Sequence, residues 1–168
     1  MRWEPLLIIL LLAGLTGLFI LATHYRKHWL TWLVWGYLTS LGAILFTPLA
    51  FTGTAVYIIG PGPGQVNLTH LDMLNLGFFE NIIMTIPLGI LLKWIWPKLS
   101  LWRLLELGGL AGTFFETTQY ILSQHWLINR SSDINDVISN TLGVIVGGMV
   151  VALYYRLTAL HHRKPLTN

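Results

Sequence analysis

Residues 130–143 read RSSDINDVISNTLG, and residues 144–155, which follow directly, read VIVGGMVVALYY. The second stretch is apolar throughout and suits the interior of a bilayer. The first sets an arginine, two aspartates and an asparagine at its mouth, although polar and charged groups carried toward lipid are costly and persist mainly where they have work to do or a partner to meet. The combination predicts a membrane-spanning helix that begins in a polar cluster.

The remainder of the chain supports a membrane setting. Of 168 residues 54% are hydrophobic and 10% charged, with a mean hydropathy of +0.64, whereas a soluble domain carries about a quarter charged residues. The absence of cysteine excludes disulfides and thiolate zinc sites. The net charge of +3 is spread in short basic groups between apolar runs, a topological signal, and no nucleic-acid partner is expected. Five stretches approach the ~20 residues that cross a bilayer: about 5–22, 30–50, 79–96, 102–124 and 137–156. The expected fold is all-α, a polytopic membrane bundle of about five transmembrane helices. The first could be a signal peptide, but its leading charge is Arg2 alone and ATHYRKH offers a poor cleavage site, so it reads as a retained helix.

With five spans, Arg26, Lys27, Lys93, Lys98, Arg103, Arg156, Arg163 and Lys164 share one face, leaving Arg2 and Arg130 on the other. The positive-inside rule then puts the amino terminus outside and the carboxyl terminus in the cytoplasm of a multi-pass cell-membrane protein. Residues 1–28 form a first helix and cytoplasmic loop, 29–157 the main transmembrane domain and 158–168 a cytoplasmic tail. His24, His28, His161 and His162 fall on that cytoplasmic surface. The loops at 51–78 and 125–136 face outward. The longer contains GPGPG at 60–64, a flexible or turn-forming stretch, and then Leu68, Leu71 and Leu74 at near-helical spacing, suited to lying along the interface. Trp29, Trp32, Trp35, Trp94, Trp96 and Trp102 are read as interfacial anchors without a chemical role.

In the fourth span Gly108, Gly112 and Glu116 step by four, and Gln119 and Tyr120 follow by three and four. In the fifth, Asp133, Asp136, Asn140, Gly143 and Gly147 make a matching stripe in reverse order, so the two are expected to face each other across closely approaching helices. At 1.5 Å per residue Glu116 lies roughly 12 Å below the outer end of its helix and Asn140 roughly 5–10 Å below the start of the next, so antiparallel helices bring them to one depth. The third span adds Glu80, Asn81 and Thr85 ahead of a bend expected at Pro87 and Gly89. Arg130 is the natural partner for Glu116, Asp133 or an anionic ligand, because its planar fork grips carboxylates and phosphates in pairs.

Each of these residues has a plainer reading beside it. Asp133 and Asp136 suit the first turn of a helix capped by Ser131 or Ser132, Gln119 and Asn81 suit interhelical hydrogen bonds, and Glu106 suits an ion pair with Arg103 or Arg26. Glu116 is hardest to dismiss, since an intramembrane acid is expensive. His125 beside scattered carboxylates is too little for a metal site, and no cofactor is expected.

This constellation resembles the VanZ-like family of bacterial membrane proteins, associated with teicoplanin resistance. The family pattern of an asparagine before Pro-Leu-Gly, then Glu-x-x-Gln, then an arginine before Asp-x-x-Asp and Asn-x-x-Gly falls on Asn81 with residues 87–89, Glu116 and Gln119, Arg130, Asp133 and Asp136, then Asn140 and Gly143. The resemblance covers roughly residues 30–156 and leaves the first helix outside. A proline that the family carries before the asparagine is absent from NLGFFEN. The resemblance implies an envelope or resistance function with no established reaction. Asn81, Glu116, Gln119, Arg130, Asp133, Asp136 and Asn140 are then candidate ligand-binding residues, with membrane lipid, a lipid-linked cell-wall precursor or a lipoglycopeptide as partner. Two other functions stay open. One is an enzyme acting on a lipid-linked phosphate or sugar, with Glu116 as general base; the other is a structural subunit or small transporter.

Overall fold

The computed structural model describes residues 1–51 and 54–161; His162, Arg163 and Lys164, expected on the cytoplasmic side, lie outside them. Among the described residues there are five α-helices: α1 (Glu4–Ala22), α2 (Trp29–Leu45), α3 (Leu76–Ile95), α4 (Leu101–Trp126) and α5 (Ile134–His161). A 3₁₀ turn, His24–Lys27, joins α1 to α2, and four short strands complete the chain: β1 (Leu49–Phe51), β2 (Val56–Ile58), β3 (Val66–Asn67) and β4 (Ser132–Asp133). The fold is thus the all-α membrane bundle expected. By length and composition α1, α3 and the Ile134–Ala159 part of α5 are long and apolar enough to cross a membrane. α2 is apolar but shorter, and α4 is long but interrupted by Arg103, Glu106, Glu116 and Gln119.

The helix ends follow local chemistry. The Asn75 side chain caps α3 by accepting from Phe78 N at 2.8 Å, and Ser100 Oγ accepts from Arg103 N at 3.3 Å at the start of α4, each satisfying an amide the helix itself leaves without an acceptor. The second span was expected to run to about residue 50, but α2 stops at Leu45. Pro48 disfavours helical backbone at Thr47, and Leu49–Phe51 turn back as one strand of the antiparallel β1–β2 hairpin. The leucines at 68, 71 and 74 are not helical; they are exposed along an irregular segment that ends at the Asn75 cap.

The chain divides into two compact units, one of Met1–Asn67 with Thr117–Ser132 and one of Leu68–Glu116 with Asp133–Asn168. In the first, α1 packs on α2. Trp35, read as an interfacial anchor, instead donates its indole N–H to Ala13 O and to Thr16 Oγ1, both at 3.1 Å, with its ring against Gly17. Trp29 and Trp102 are exposed, as anchors should be. The GPGPG stretch is tied to the segment after α4. Gly62 N donates to Leu127 O at 3.3 Å, Gly64 N to Asn129 Oδ1 at 3.2 Å, and Asn129 Nδ2 to Gly60 O at 2.9 Å. Gly64 has φ +73° and the Arg130 carbonyl against its Cα, so no side chain fits there.

In the second unit α5 is the central element, packed on α3. The expected pairing of glycine stripes is only half right. Gly108 and Gly112 of α4 do face α5, where a Cβ would meet Thr141 Cα at 3.1 Å and Val137 O at 3.0 Å. Gly143 and Gly147 face α3 instead, against the carbonyls of Ile82 and Ile86, and Gly89 of α3 returns the contact at the Val144 carbonyl. A stripe stepping by three and four marks one face of a helix, and here α5 uses adjoining faces for two partners.

Gly147→Ala should therefore destabilise the protein by about 1–3 kcal/mol through overpacking. Gly109→Ala, where a Cβ meets nothing within 4 Å, should gain up to ~1 kcal/mol of helix propensity. Denaturation in detergent compares them, and equal midpoints would show that the α3–α5 contact tolerates a methyl group.

Candidate functional site

The expected residues fall in both units, and each unit uses its own for a recognisable physical purpose. In the first, Arg130 and Gln119 meet the end of α2. Arg130 Nε donates to Thr47 O at 3.1 Å, Arg130 Nη2 to the carbonyls of Ile44 and Leu49, and Gln119 Nε2 to Leu45 O at 3.0 Å. The last carbonyls of a helix lack intrahelical donors, and a cation beside them also meets the negative end of the helix dipole. Arg130 is itself fixed by Ser123, whose hydroxyl bonds both its N–H and its carbonyl at 2.9 Å. Leu127 and Asn129 take left-handed backbone, φ 54° and 59°, to bring the chain round. Tyr120, read on the same stripe as Gln119, is exposed.

In the second unit the polar residues gather where α5 begins. Glu116 is 5% exposed, and its Oε2 accepts from Asp133 N at 2.8 Å. Antiparallel α4 and α5 thus meet here, but Glu116 faces the start of α5 at Asp133, whereas Asn140, expected at its level, lies beside Gly112. Asp133 Oδ1 then accepts from Asn135 N at 2.8 Å, so Asp133, rather than Ser131 or Ser132, caps the helix. Two carboxylates placed at the positive end of the α5 dipole are stabilised there. Asn135, which the sequence reading passed over, is buried and gives its amide to both sides of the loop before α3, donating to His70 O at 2.9 Å and accepting from Asp72 N at 2.9 Å. Its position two residues after Asp133, able to close an Asx turn, was the available signal.

One turn into α5 the pattern changes. Asn140 is 1% exposed, yet neither its amide nitrogen nor its amide oxygen has a hydrogen-bond partner among the described residues. Its backbone carbonyl accepts from Thr85 Oγ1 at 3.0 Å, and its Cβ lies beside Gly112, one turn from Glu116 on the same face of α4. Asp136, one turn earlier on α5, is half-buried. Asn81 on α3 is half-buried too, and its carbonyl accepts from Thr85 Oγ1 at 2.8 Å. Glu106, expected in an ion pair, is exposed and makes none with any described residue. No group of three or more metal-ligating side chains occurs among the described residues.

Five α-helices, three of them long and apolar enough to cross a membrane, with only short strand pieces between them, define an all-α membrane protein. The VanZ/LLP1 family model matches residues 6–155, and the chain belongs to that family. The matched residues begin within α1, so the family pattern reaches further toward the amino terminus than the motifs from residue 30 onward suggest. No curated protein and no solved structure matches the chain.

A buried amide with nothing to bond costs about 1–3 kcal/mol. Asn140→Ala should therefore leave the midpoint of thermal unfolding in detergent unchanged or raised, whereas Asn135→Ala, which breaks three hydrogen bonds, should lower stability by about 2–4 kcal/mol. Comparable losses for the two would mean that Asn140 is bonded like Asn135.

Proposed function

We propose that this VanZ-like membrane protein confers low-level resistance to teicoplanin-type lipoglycopeptides by altering the drug's access to cell-wall precursors, and that Glu116, Asp133, Asp136 and Asn140 form the polar site responsible. Family membership supports the link to glycopeptide resistance. The observation that carries the site is Asn140, a wholly buried amide whose donor and acceptor meet no partner among the described residues. Buried polar groups are nearly always satisfied, and the exceptions concentrate where something other than the fold holds them in place. The ligand class that suits the site is an amphiphile with hydroxyl or amide groups near its head. Cell-wall precursors and lipoglycopeptides both have that character.

The chain is read as multi-pass with α5 entering from outside, its carboxyl end in the cytoplasm. The sidedness rests on the basic groups after α1 and around α4.

Susceptibility to teicoplanin and vancomycin is measured in a sensitive Gram-positive host that expresses the wild type, Glu116→Gln, Asp136→Asn or Asn140→Ala at matched membrane levels. The wild type should protect selectively against teicoplanin, and each variant should return the host to its own susceptibility. Equal protection by all four would reduce the cluster to structural glue, and no protection by any would remove the resistance reading. Orientation has a separate test, because the native chain has no cysteine and Ser131 is exposed. Ser131→Cys should react with a membrane-impermeant thiol reagent on intact cells; labelling only after lysis would invert the topology.

A further inference from the structure

The turn between α1 and α2 carries positive charge that its own unit does not answer. His24, Tyr25, Arg26, Lys27 and His28 are all exposed, and neither Arg26 nor Lys27 makes an ion pair with any described residue. Within Met1–Asn67 and Thr117–Ser132 the only carboxylate side chain is Glu4. It stands at the far end of α1, which at 1.5 Å per residue is roughly 28 Å away, and it is engaged there by the Met1 ammonium and the Trp126 indole. The turn is four residues long and lies directly between two apolar helices. Its backbone is held by His28 N donating to Tyr25 O at 3.0 Å and by Trp32 Nε1 donating to Arg26 O at 3.1 Å. With no linker to lift them into bulk water, the two cations stay at the depth where the apolar run of α1 ends, which is the depth of lipid headgroups. Tyr25 and Trp29 are exposed beside them, as aromatic residues are at that level.

We propose that this turn is a binding site for an anionic phospholipid headgroup, with Arg26 and Lys27 holding the phosphate and Tyr25 and Trp29 lining the interfacial part of the lipid. Arginine offers a planar fork to a phosphate and lysine a point charge, a complementary pair for one phosphodiester. The site needs no acid from the protein, because the counter-charge comes with the lipid. It is independent of the resistance reading, since none of its residues belongs to the polar site at the start of α5.

Native mass spectrometry of the full chain tests this, with protein released from mixed micelles containing equal phosphatidylglycerol and phosphatidylcholine. The wild type should retain phosphatidylglycerol preferentially. Arg26→Gln with Lys27→Gln should weaken that retention by roughly fivefold per charge, while Lys98→Gln with Arg103→Gln should leave it unchanged and Arg26→Lys with Lys27→Arg should restore it. Excess inorganic phosphate should not displace the lipid. Equal retention of both lipids by the wild type, equal losses in the two neutralised pairs, or displacement by free phosphate would each overturn the proposal. Should the double variant fail to elute as a folded species, Arg26→Gln and Lys27→Gln are read singly, and no loss in either has the same force.

Discussion

The second unit depends on how closely α5 can approach its neighbours. In lipid there is little hydrophobic gain from bringing one apolar helix against another, so association rests on van der Waals contact and hydrogen bonds. Gly143 and Gly147 remove the side chains that would hold α5 off α3, and Gly89 does the same from the other side. Gly108 and Gly112 allow α4 the same intimacy on an adjoining face. At that separation one hydroxyl reaches both backbones, as Thr85 does by sharing its single proton between the carbonyls of Asn81 and Asn140. Backbone proximity then leaves Asn140 enclosed with no room to turn outward, and its amide is polar by sequence and buried by geometry.

The start of α5 is held with equal economy. Glu116 takes the amide of Asp133, Asp133 takes that of Asn135, and Asn135 reaches back to His70 and Asp72. Each acid faces a backbone N–H at a helix amino terminus, where negative charge is favoured. This explains how a carboxylate as enclosed as Glu116 is kept beside an apolar helix. The first unit shows the opposite polarity, with Arg130 and Gln119 meeting the carbonyl end of α2.

Much of this was legible in the residue order because periodicity and small residues report directly on helices and their contacts. The five helices follow from the long apolar runs, and the inward faces of Gly108 and Gly112 toward α5 from steps of four. What the order hid was partner choice. Gly143 and Gly147 lie near the stripe of Asp136 and Asn140, yet they serve α3, because a helix has more than one contact face and period alone does not name the neighbour. Arg130 bonds the carbonyls of Ile44, Thr47 and Leu49 at the end of α2, neutral partners that no spacing rule reveals. The end of α2 was overrun because hydropathy continues to residue 50, whereas the backbone constraint set by Pro48 does not. Asn135 was passed over because it lies off the polar stripe, although its amide bridges to a segment more than one helix earlier.

The closure of α2 by Arg130 also has a consequence in time. The arginine that donates to the carbonyl of Thr47 is made 83 residues later, which at 5–20 residues per second is roughly 4–17 s of translation. Until Gln119 and Arg130 have both been made, the carboxyl end of α2 lacks its full set of donors, and bare carbonyls are poorly tolerated in hydrocarbon. The carbonyl end of α2 is thus completed only by residues made two helices later, first Gln119 and then Arg130.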